Sequence, residues 1–183
     1  KADGSCKRLV VAGCLSQRHP DELAKEMPEV DHFLGSSDML KLGQVLDGAA
    51  ERMLVGNPAD WVIRASDPRV VTGHRASAYV KIAEGCDRSC GFCAIPSFRG
   101  PQRSRDIAAI LTEVDQLEAR EIVLVAQDLA SYGKDRPGEL GAGSIVPLVK
   151  AVADEVDRVR LLYLYPSDLS DELIDVICDS GVP

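Results

Sequence analysis

A strand–loop–helix pattern, present three times between residues 78 and 183, constrains the fold of this chain more than any other feature. Strands are predicted at 78–84, 121–125 and 160–165, and apolar residues at helical spacing follow each of them, running from Ile107 to Leu117 in the first of these helices. This alternation is typical of βαβ units that build a parallel sheet. A complete (β/α)8 barrel takes about 250 residues, so this stretch can hold only part of one.

The first 54 residues alternate in the same way and predict a separate α/β domain. Arg8–Ala12 reads as a buried strand, Pro20–Met27 as a short helix, and a second apolar piece ends at Leu34. Asp38 is predicted to cap a longer amphipathic helix, whose apolar face would carry Met39, Leu42, Val45, Leu46, Ala49 and Met53. Turn-forming residues dominate 55–77, where Trp61–Ile63 either adds one strand or packs against a neighbour. The predicted division is therefore 1–54, a linker at 55–77, and 78–183.

Composition favours a soluble globular protein, and the net charge indicates which classes of partner are compatible with it. The chain has 183 residues, 45% of them hydrophobic, and a net charge of −8. That charge disfavours broad contact with nucleic acid and leaves room for a basic protein partner. No apolar run reaches membrane-spanning length and no signal sequence is visible, so a cytoplasmic location is expected.

Three of the six cysteines lie within eight residues. Cys86, Cys90 and Cys93 form a C-x3-C-x2-C pattern directly after the predicted strand 78–84. Active sites of parallel α/β folds lie at this end of a strand. Three thiolates can ligate three irons of a [4Fe–4S] cluster and leave the fourth iron open to the amino and carboxylate groups of S-adenosylmethionine (SAM). Phe92 is then placed to lie against the adenine ring.

A structural zinc site is the alternative interpretation from another class of function. Zinc usually takes four ligands in two close pairs. The nearest additional ligand is His74, twelve residues upstream, and no second pair follows the loop. The spacing therefore favours iron–sulfur chemistry over a non-catalytic zinc-binding module.

The loop and its continuation resemble the radical SAM methylthiotransferases. The likeness is carried by residues 85–96, by Phe98–Arg99–Gly100 and by Arg103–Ser104–Arg105, while Val10–Leu15 and Pro28–Asp31 resemble the end of that family's N-terminal domain. The resemblance implies the C-terminal part of an N-terminal α/β methylthiotransferase domain, followed by the first βα units of a radical SAM partial TIM-type barrel. It covers nearly the whole chain and is weakest over residues 52–75.

Three segments resemble the protein-modifying branch of this family: 97–100, 125–128 and 162–167. The resemblance implies methylthiolation of the β-carbon of an aspartate in ribosomal protein twelve of the small subunit. The other branch, which modifies an adenosine of transfer RNA, stays open as an alternative. Only that alternative makes transfer RNA a partner.

The resemblance also implies cofactors and partners: SAM, two [4Fe–4S] clusters, the ribosomal protein, and an electron donor such as flavodoxin or ferredoxin. Cys14 matches the last of three ligands of the second, sulfur-supplying cluster, and the other two are expected upstream of Lys1. The chain is therefore expected to be a segment of the enzyme, inactive by itself. Cys6 and Cys178 are predicted not to be ligands.

Several further residues are candidate contacts to SAM or substrate, although no catalytic residue is assigned. Gln127 and Asp128 end a predicted strand and either contact SAM or substrate or cap the loop. Arg99 belongs to a basic stretch with Arg103 and Arg105 that either holds a carboxylate or stays solvated. Tyr165 and Ser167 lie at the end of the third predicted strand and are either functional contacts or residues without a functional role.

Overall fold

The computed structural model describes residues 4–73, 76–139 and 143–179, which form a mixed α/β structure with parallel sheets. Two compact units divide the chain: Lys1–Trp61 with Arg88–Gly100, and Val62–Asp87 with Pro101–Pro183. The domain boundaries expected from sequence, at residues 54 and 77, stay a prediction. His74 lies outside the described residues. Among those described, no helix is long and apolar enough to cross a membrane.

Eight strands and seven α-helices are assigned within the described residues. In chain order they are β1 Val10–Ala12, α1 Cys14–Arg18, α2 Pro20–Glu26, β2 His32–Leu34, α3 Leu42–Leu46, β3 Met53–Leu54, β4 Ser77–Lys81, β5 Ala83–Glu84, α4 Ile95–Arg99, β6 Arg103–Ser104, α5 Ile107–Leu117, β7 Glu121–Val125, α6 Val146–Ala153, β8 Arg158–Leu161 and α7 Asp171–Asp179.

The first unit is built on a small parallel sheet in the order β1-β2-β3. In the central strand β2, Phe33 pairs with Val11 on one side and with Met53 on the other. Phe33 and Leu34 are fully buried, as are Val30 and Val45. Burying each such side chain stabilises a fold by about 1.5–3 kcal/mol. These four side chains are therefore a main source of stability for the short sheet.

The helix expected from Met39 to Met53 is wrong in its second half. Met39–Lys41 is a 3-10 turn, α3 ends at Leu46, and Gly48 follows with φ +79. Met53 belongs to β3, where it pairs with Phe33. Helical spacing of apolar residues is a local signal, and it cannot reveal that a residue pairs with a strand 20 positions away.

Two smaller expectations differ from the structure, and one helix was not expected. Asp38 makes no side-chain capping bond to the turn that follows it. No strand is assigned at Trp61–Ile63 within the described part of the chain. The short helix α1, which begins at Cys14, was not predicted.

The second unit contains a parallel sheet in the order β4-β7-β8, as the βαβ pattern predicts. Register pairs run Ala78 with Ile122 and Ile122 with Val159, and helices α5, α6 and α7 cover the same apolar core. Helix α5 and strand β7 have the bounds that their apolar spacing predicts. Helix α5 keeps one helical period over its 11 residues, and β7 is a continuous run of β-favouring residues whose central three are buried.

Two strands of this unit differ from the prediction. The stretch 78–84 is two strands: β4 pairs with β7, and β5 forms an antiparallel ribbon with β6. Strand β8 ends at Leu161 instead of continuing to Tyr165. Tyr163 then has φ +59, which is incompatible with a regular strand.

Candidate iron–sulfur site

Cys86 lies just beyond the strand that the cysteine loop follows. Strand β5 ends at Glu84, and Gly85 turns the chain with φ +82, a left-handed conformation that favours glycine. Cys86 is 8% exposed. The next residue is held as well, because the Asp87 carboxylate accepts a hydrogen bond from the Gln102 amide at 3.0 Å. The backbone on both sides of this thiol is therefore ordered.

Gln127 follows strand β7 and holds the two residues that precede Cys86. Its Oε1 accepts from the Gly85 amide at 3.1 Å, and its Nε2 donates to Glu84 Oε1 at 2.8 Å. Glu84 is 1% exposed, and its other carboxylate oxygen accepts from the Lys81 ammonium. Gln127 was predicted as a contact to SAM or substrate; the structure places its amide against the protein's own loop.

The other two cysteines belong to the first compact unit. The Cys93 amide donates to the Cys90 carbonyl at 3.0 Å, so a tight turn brings these residues close along the backbone. Cys90 is exposed and Cys93 partly buried. Phe92, between them, is 94% exposed. An aromatic ring this exposed is available to a ligand, as its predicted role requires.

The donor set matches an iron–sulfur cluster in kind. No disulfide forms among the six cysteines, all of which lie in the described residues. In those residues no three His, Cys, Asp or Glu side chains form a group that could hold a metal ion. Thiolate sulfurs are the usual ligands of such clusters. Three thiols with this spacing therefore supply ligands of the type that the cluster requires.

Cys14 begins helix α1 directly after β1, at the carboxyl end of the first sheet. The Arg99 guanidinium, at the end of α4, donates to the Cys14 sulfur at 3.2 Å. Helix α4 contacts α1, and the Ser36 hydroxyl donates to the Phe98 carbonyl at 2.8 Å. Arg99, predicted to hold a carboxylate of SAM or substrate, is therefore a neighbour of the second candidate cysteine.

A buried polar network at the same edge of the first sheet was missed from sequence. The Asp38 carboxylate accepts from the Gly56 amide at 2.8 Å and from the Lys41 ammonium at 2.6 Å. Gln17 donates to the Gly56 carbonyl at 2.8 Å. Burial would raise the pKa of Asp38, but the hydrogen bonds from Lys41 and Gly56 outweigh it and hold the pKa below its usual value. Its partner at Gly56 lies 18 residues away, so no local motif marks the network.

Arg105 is structural rather than solvated. Its side chain is 2% exposed and forms an ion pair with Glu113 at 2.7 Å, and it also donates to the Lys81 carbonyl at 2.5 Å. Arg69 donates to the other oxygen of Glu113 at 2.5 Å. The three arginines of the stretch predicted at residues 99–105 therefore do not share one role, because Arg105 is an internal ion-pair partner in the second unit. Arg103 is partly buried and donates to the Pro101 carbonyl at 2.5 Å.

The ends of the second sheet's strands carry the remaining candidates. Asp128 is buried, and its carboxylate accepts from the Ser131 hydroxyl at 2.7 Å, which matches the loop-ordering interpretation. Tyr165 and Ser167 are exposed after β8. Tyr163, which sequence reasoning did not select as a site residue, is 96% exposed and has a positive φ. A non-glycine residue in this conformation stores strain, a feature that clusters at functional sites.

The chain resembles known proteins in sequence and in fold. No family model matches the chain. It is 60% identical over 97% of its length to ribosomal protein uS12 methylthiotransferase RimO of Sorangium cellulosum, and covers 38% of that protein. Identity to the proteins of the same name is 47% over 97% of the chain in Myxococcus xanthus, and 45% over 98% in an Anaeromyxobacter species. The chain spans about two fifths of the length of these curated relatives.

A solved structure has a similar fold. The radical S-adenosylmethionine methyltransferase TsrM from Kitasatospora setae matches with a TM-score of 0.64 over 96% of this chain and 40% of its own, at 13% identity. This likeness shows a shared fold, and in this chain the C-x3-C-x2-C loop follows strand β5. The class of protein and the family are shown by the sequence identities. The chain belongs to the ribosomal protein uS12 methylthiotransferase family, of which it represents part of the length.

Proposed function

We propose that this chain is the part of a uS12 methylthiotransferase that binds SAM at a [4Fe–4S] cluster held by Cys86, Cys90 and Cys93. The observation that carries the proposal is the 60% identity to such a protein over 97% of the chain. The three thiols supply the ligand type that the cluster requires, with a spacing that leaves one iron available. The resident metal group is therefore an iron–sulfur cluster rather than zinc.

Each compact unit has its own role in this proposal. The first contains the C-terminal part of the N-terminal methylthiotransferase domain, and Cys14 contributes one ligand to a second, sulfur-supplying cluster. The second contains the first βα units of a partial TIM-type barrel. Its parallel β4-β7-β8 order supports this assignment, because successive βα units of a barrel are neighbours.

The chain's own residues bind and orient the reactants. When bound, the cluster and SAM supply the one-electron chemistry that opens a carbon–hydrogen bond at the β-carbon of a uS12 aspartate. Phe92 provides an exposed ring for the adenine, and Gln127 and Asp128 order the strand ends beside the site. Arg99 donates a hydrogen bond to the Cys14 sulfur and so helps to orient this side chain.

The proposed partners follow from the same family. The substrate is ribosomal protein uS12, a class of partner compatible with a chain of net charge −8. Electrons come from a small redox protein such as flavodoxin or ferredoxin. A cytoplasmic location stays a prediction.

The metal assignment is tested by anaerobic reconstitution of this chain with iron and sulfide. We expect about four irons and four acid-labile sulfides per chain, with the brown colour of a [4Fe–4S] cluster. A chain that instead takes up about one zinc and no sulfide would be the zinc-binding module, and the radical SAM assignment would be refuted.

The substrate is tested with a protein of the relatives' full length that carries this sequence. It is incubated anaerobically with SAM and a reductant, and with either uS12 or transfer RNA. Mass spectrometry should find a methylthio group in place of one hydrogen on a uS12 aspartate and no change in the RNA. A methylthiolated adenosine with unmodified uS12 would replace the proposal with the transfer-RNA alternative.

A further inference from the structure

We propose that Gln127 is a positioning residue for the cysteine loop, which it holds through Glu84 and Gly85 without itself contacting SAM. The inference deepens the proposed function and rests on Cys86 being a cluster ligand. It assigns to Gln127 a different task from the ligand contact expected from sequence. Its basis is the set of hydrogen bonds that join the end of β7 to the two residues before Cys86.

The orientation of the Gln127 amide is determined by its neighbours. The Glu84 carboxylate accepts from the Lys81 ammonium through one oxygen and offers the other oxygen to Gln127, whose amide presents its Nε2 there, at 2.8 Å. Its Oε1 consequently faces the Gly85 amide, which can only donate, at 3.1 Å. One amide side chain thus satisfies an acceptor and a donor on successive residues. Neither a carboxylate nor an apolar side chain could do both.

Burial makes the loss of these hydrogen bonds costly in free energy. Glu84 is 1% exposed, and Lys81 balances its charge from the preceding strand β4. In such surroundings a lost hydrogen bond leaves a polar group away from water, which costs more than the bond itself contributes. The network is therefore expected to keep one arrangement.

The network acts at the point where regular pairing ends. The backbone hydrogen bonds that join β4 to β7 end with the one from the Ile82 amide to the Val125 carbonyl, at 3.0 Å. Beyond it, Gln127 continues the connection by a side chain to Gly85, whose φ of +82 directs the chain into Cys86. Side chains that orient a metal ligand typically change metal affinity by 10–100-fold when removed.

Two single variants and their combination test the inference. In Q127E two carboxylates face each other. In E84Q the introduced amide has one acceptor oxygen, although Gln127 Nε2 and the Lys81 ammonium both donate to this position. In the double variant E84Q/Q127E the carboxylate introduced at position 127 can accept from Gly85 and from the amide introduced at position 84, whose oxygen still accepts from Lys81. The double variant should therefore restore the network with its polarity reversed. Gln116→Glu, at an exposed position on α5, is the matched control.

The measurement is the rate at which reconstituted chain loses its iron–sulfur absorbance to an iron chelator under anaerobic conditions. We expect each single variant to lose its cluster about tenfold faster than the unaltered chain, and the double variant to return to within about threefold of it. The Gln116→Glu variant should match the unaltered chain. Circular dichroism at the assay temperature establishes that every variant is folded, and Q127M replaces Q127E if the latter is not.

Two results would overturn the inference. Single variants that keep their cluster as well as the unaltered chain would show that the bonds do not position Cys86. A double variant no better than the singles would show that Gln127 acts otherwise, for example by direct contact with SAM. Failure of the proposed function is distinguishable, since an unaltered chain that takes up zinc without sulfide removes the cluster and this inference together.

Discussion

The chain contains two glycine–cysteine steps, Gly13–Cys14 and Gly85–Cys86, each following a strand and each with its glycine at positive φ. They are held differently. The Gly13 amide donates to the backbone carbonyl of Leu34 at 3.1 Å, and helix α1 begins at once. The Gly85 amide donates to the Gln127 side chain, and an irregular loop follows. Gly13 is thus held by a backbone hydrogen bond where regular structure continues, and Gly85 by the Gln127 side chain where regular structure stops.

The largest expected difference between the two steps is in iron binding by this chain. Cys86→Ala should reduce the iron bound after reconstitution by about tenfold or more, because two thiolates cannot hold the cluster that three do. Cys14→Ala should leave iron and sulfide counts unchanged. Equal losses in the two variants would mean that Cys14 and Cys86 serve one centre.

The next difference concerns backbone strain. Gly13 has φ +122 and ψ −157, a region almost reserved for glycine, so Gly13→Ala should lower the free energy of unfolding by roughly 2–3 kcal/mol. Gly85→Ala, at φ +82, should cost about 1–2 kcal/mol.

Urea unfolding followed by circular dichroism measures both changes. Gly43→Ala is the control of opposite sign, because Gly43 lies in α3 with open space where a Cβ would be. It should stabilise the first unit by about 0.5–1 kcal/mol. A larger loss for Gly85→Ala than for Gly13→Ala would reverse the comparison.

The smallest expected effect is a pH dependence at the carboxyl end of the first sheet. The pKa of Asp38 lies below its ordinary value of 3.8, because the hydrogen bonds from Lys41 and Gly56 outweigh the effect of burial. A carboxyl with a lowered pKa in the folded state adds stability above the unfolded pKa, and that stability is lost as the pH falls through the folded value. The first unit should therefore lose stability below about pH 3.8.

Urea midpoints between about pH 2 and pH 6 measure this effect. Asp38→Asn should flatten the acid branch of the first unit, whereas Asp21→Asn, at an exposed position, should leave it unchanged. An acid branch that persists in the Asp38→Asn variant would assign the titration to other carboxyl groups.

Some parts of the fold follow directly from the amino-acid order. Helix α5 and strand β7 have the predicted bounds, because α5 keeps a helical period over 11 residues and β7 is a continuous run of β-favouring residues that the sheet buries. The helix predicted to reach Met53 fails for the opposite reason. Met53 pairs with Phe33, and local spacing carries no information about such a partner.

The candidate site divides in the same way. Spacing alone predicts that Cys86, Cys90 and Cys93 share a cluster, and the apolar run before Cys86 predicts the strand that it follows. Tertiary structure decided the tasks of the side chains around them: Gln127 reaches Glu84 across 43 residues, and Arg99 reaches Cys14 across 85. Metal-ligand chemistry depends on residue type and short separation, which a sequence displays. Hydrogen bonds between distant segments depend on strand order and burial, which exist only once the chain has folded.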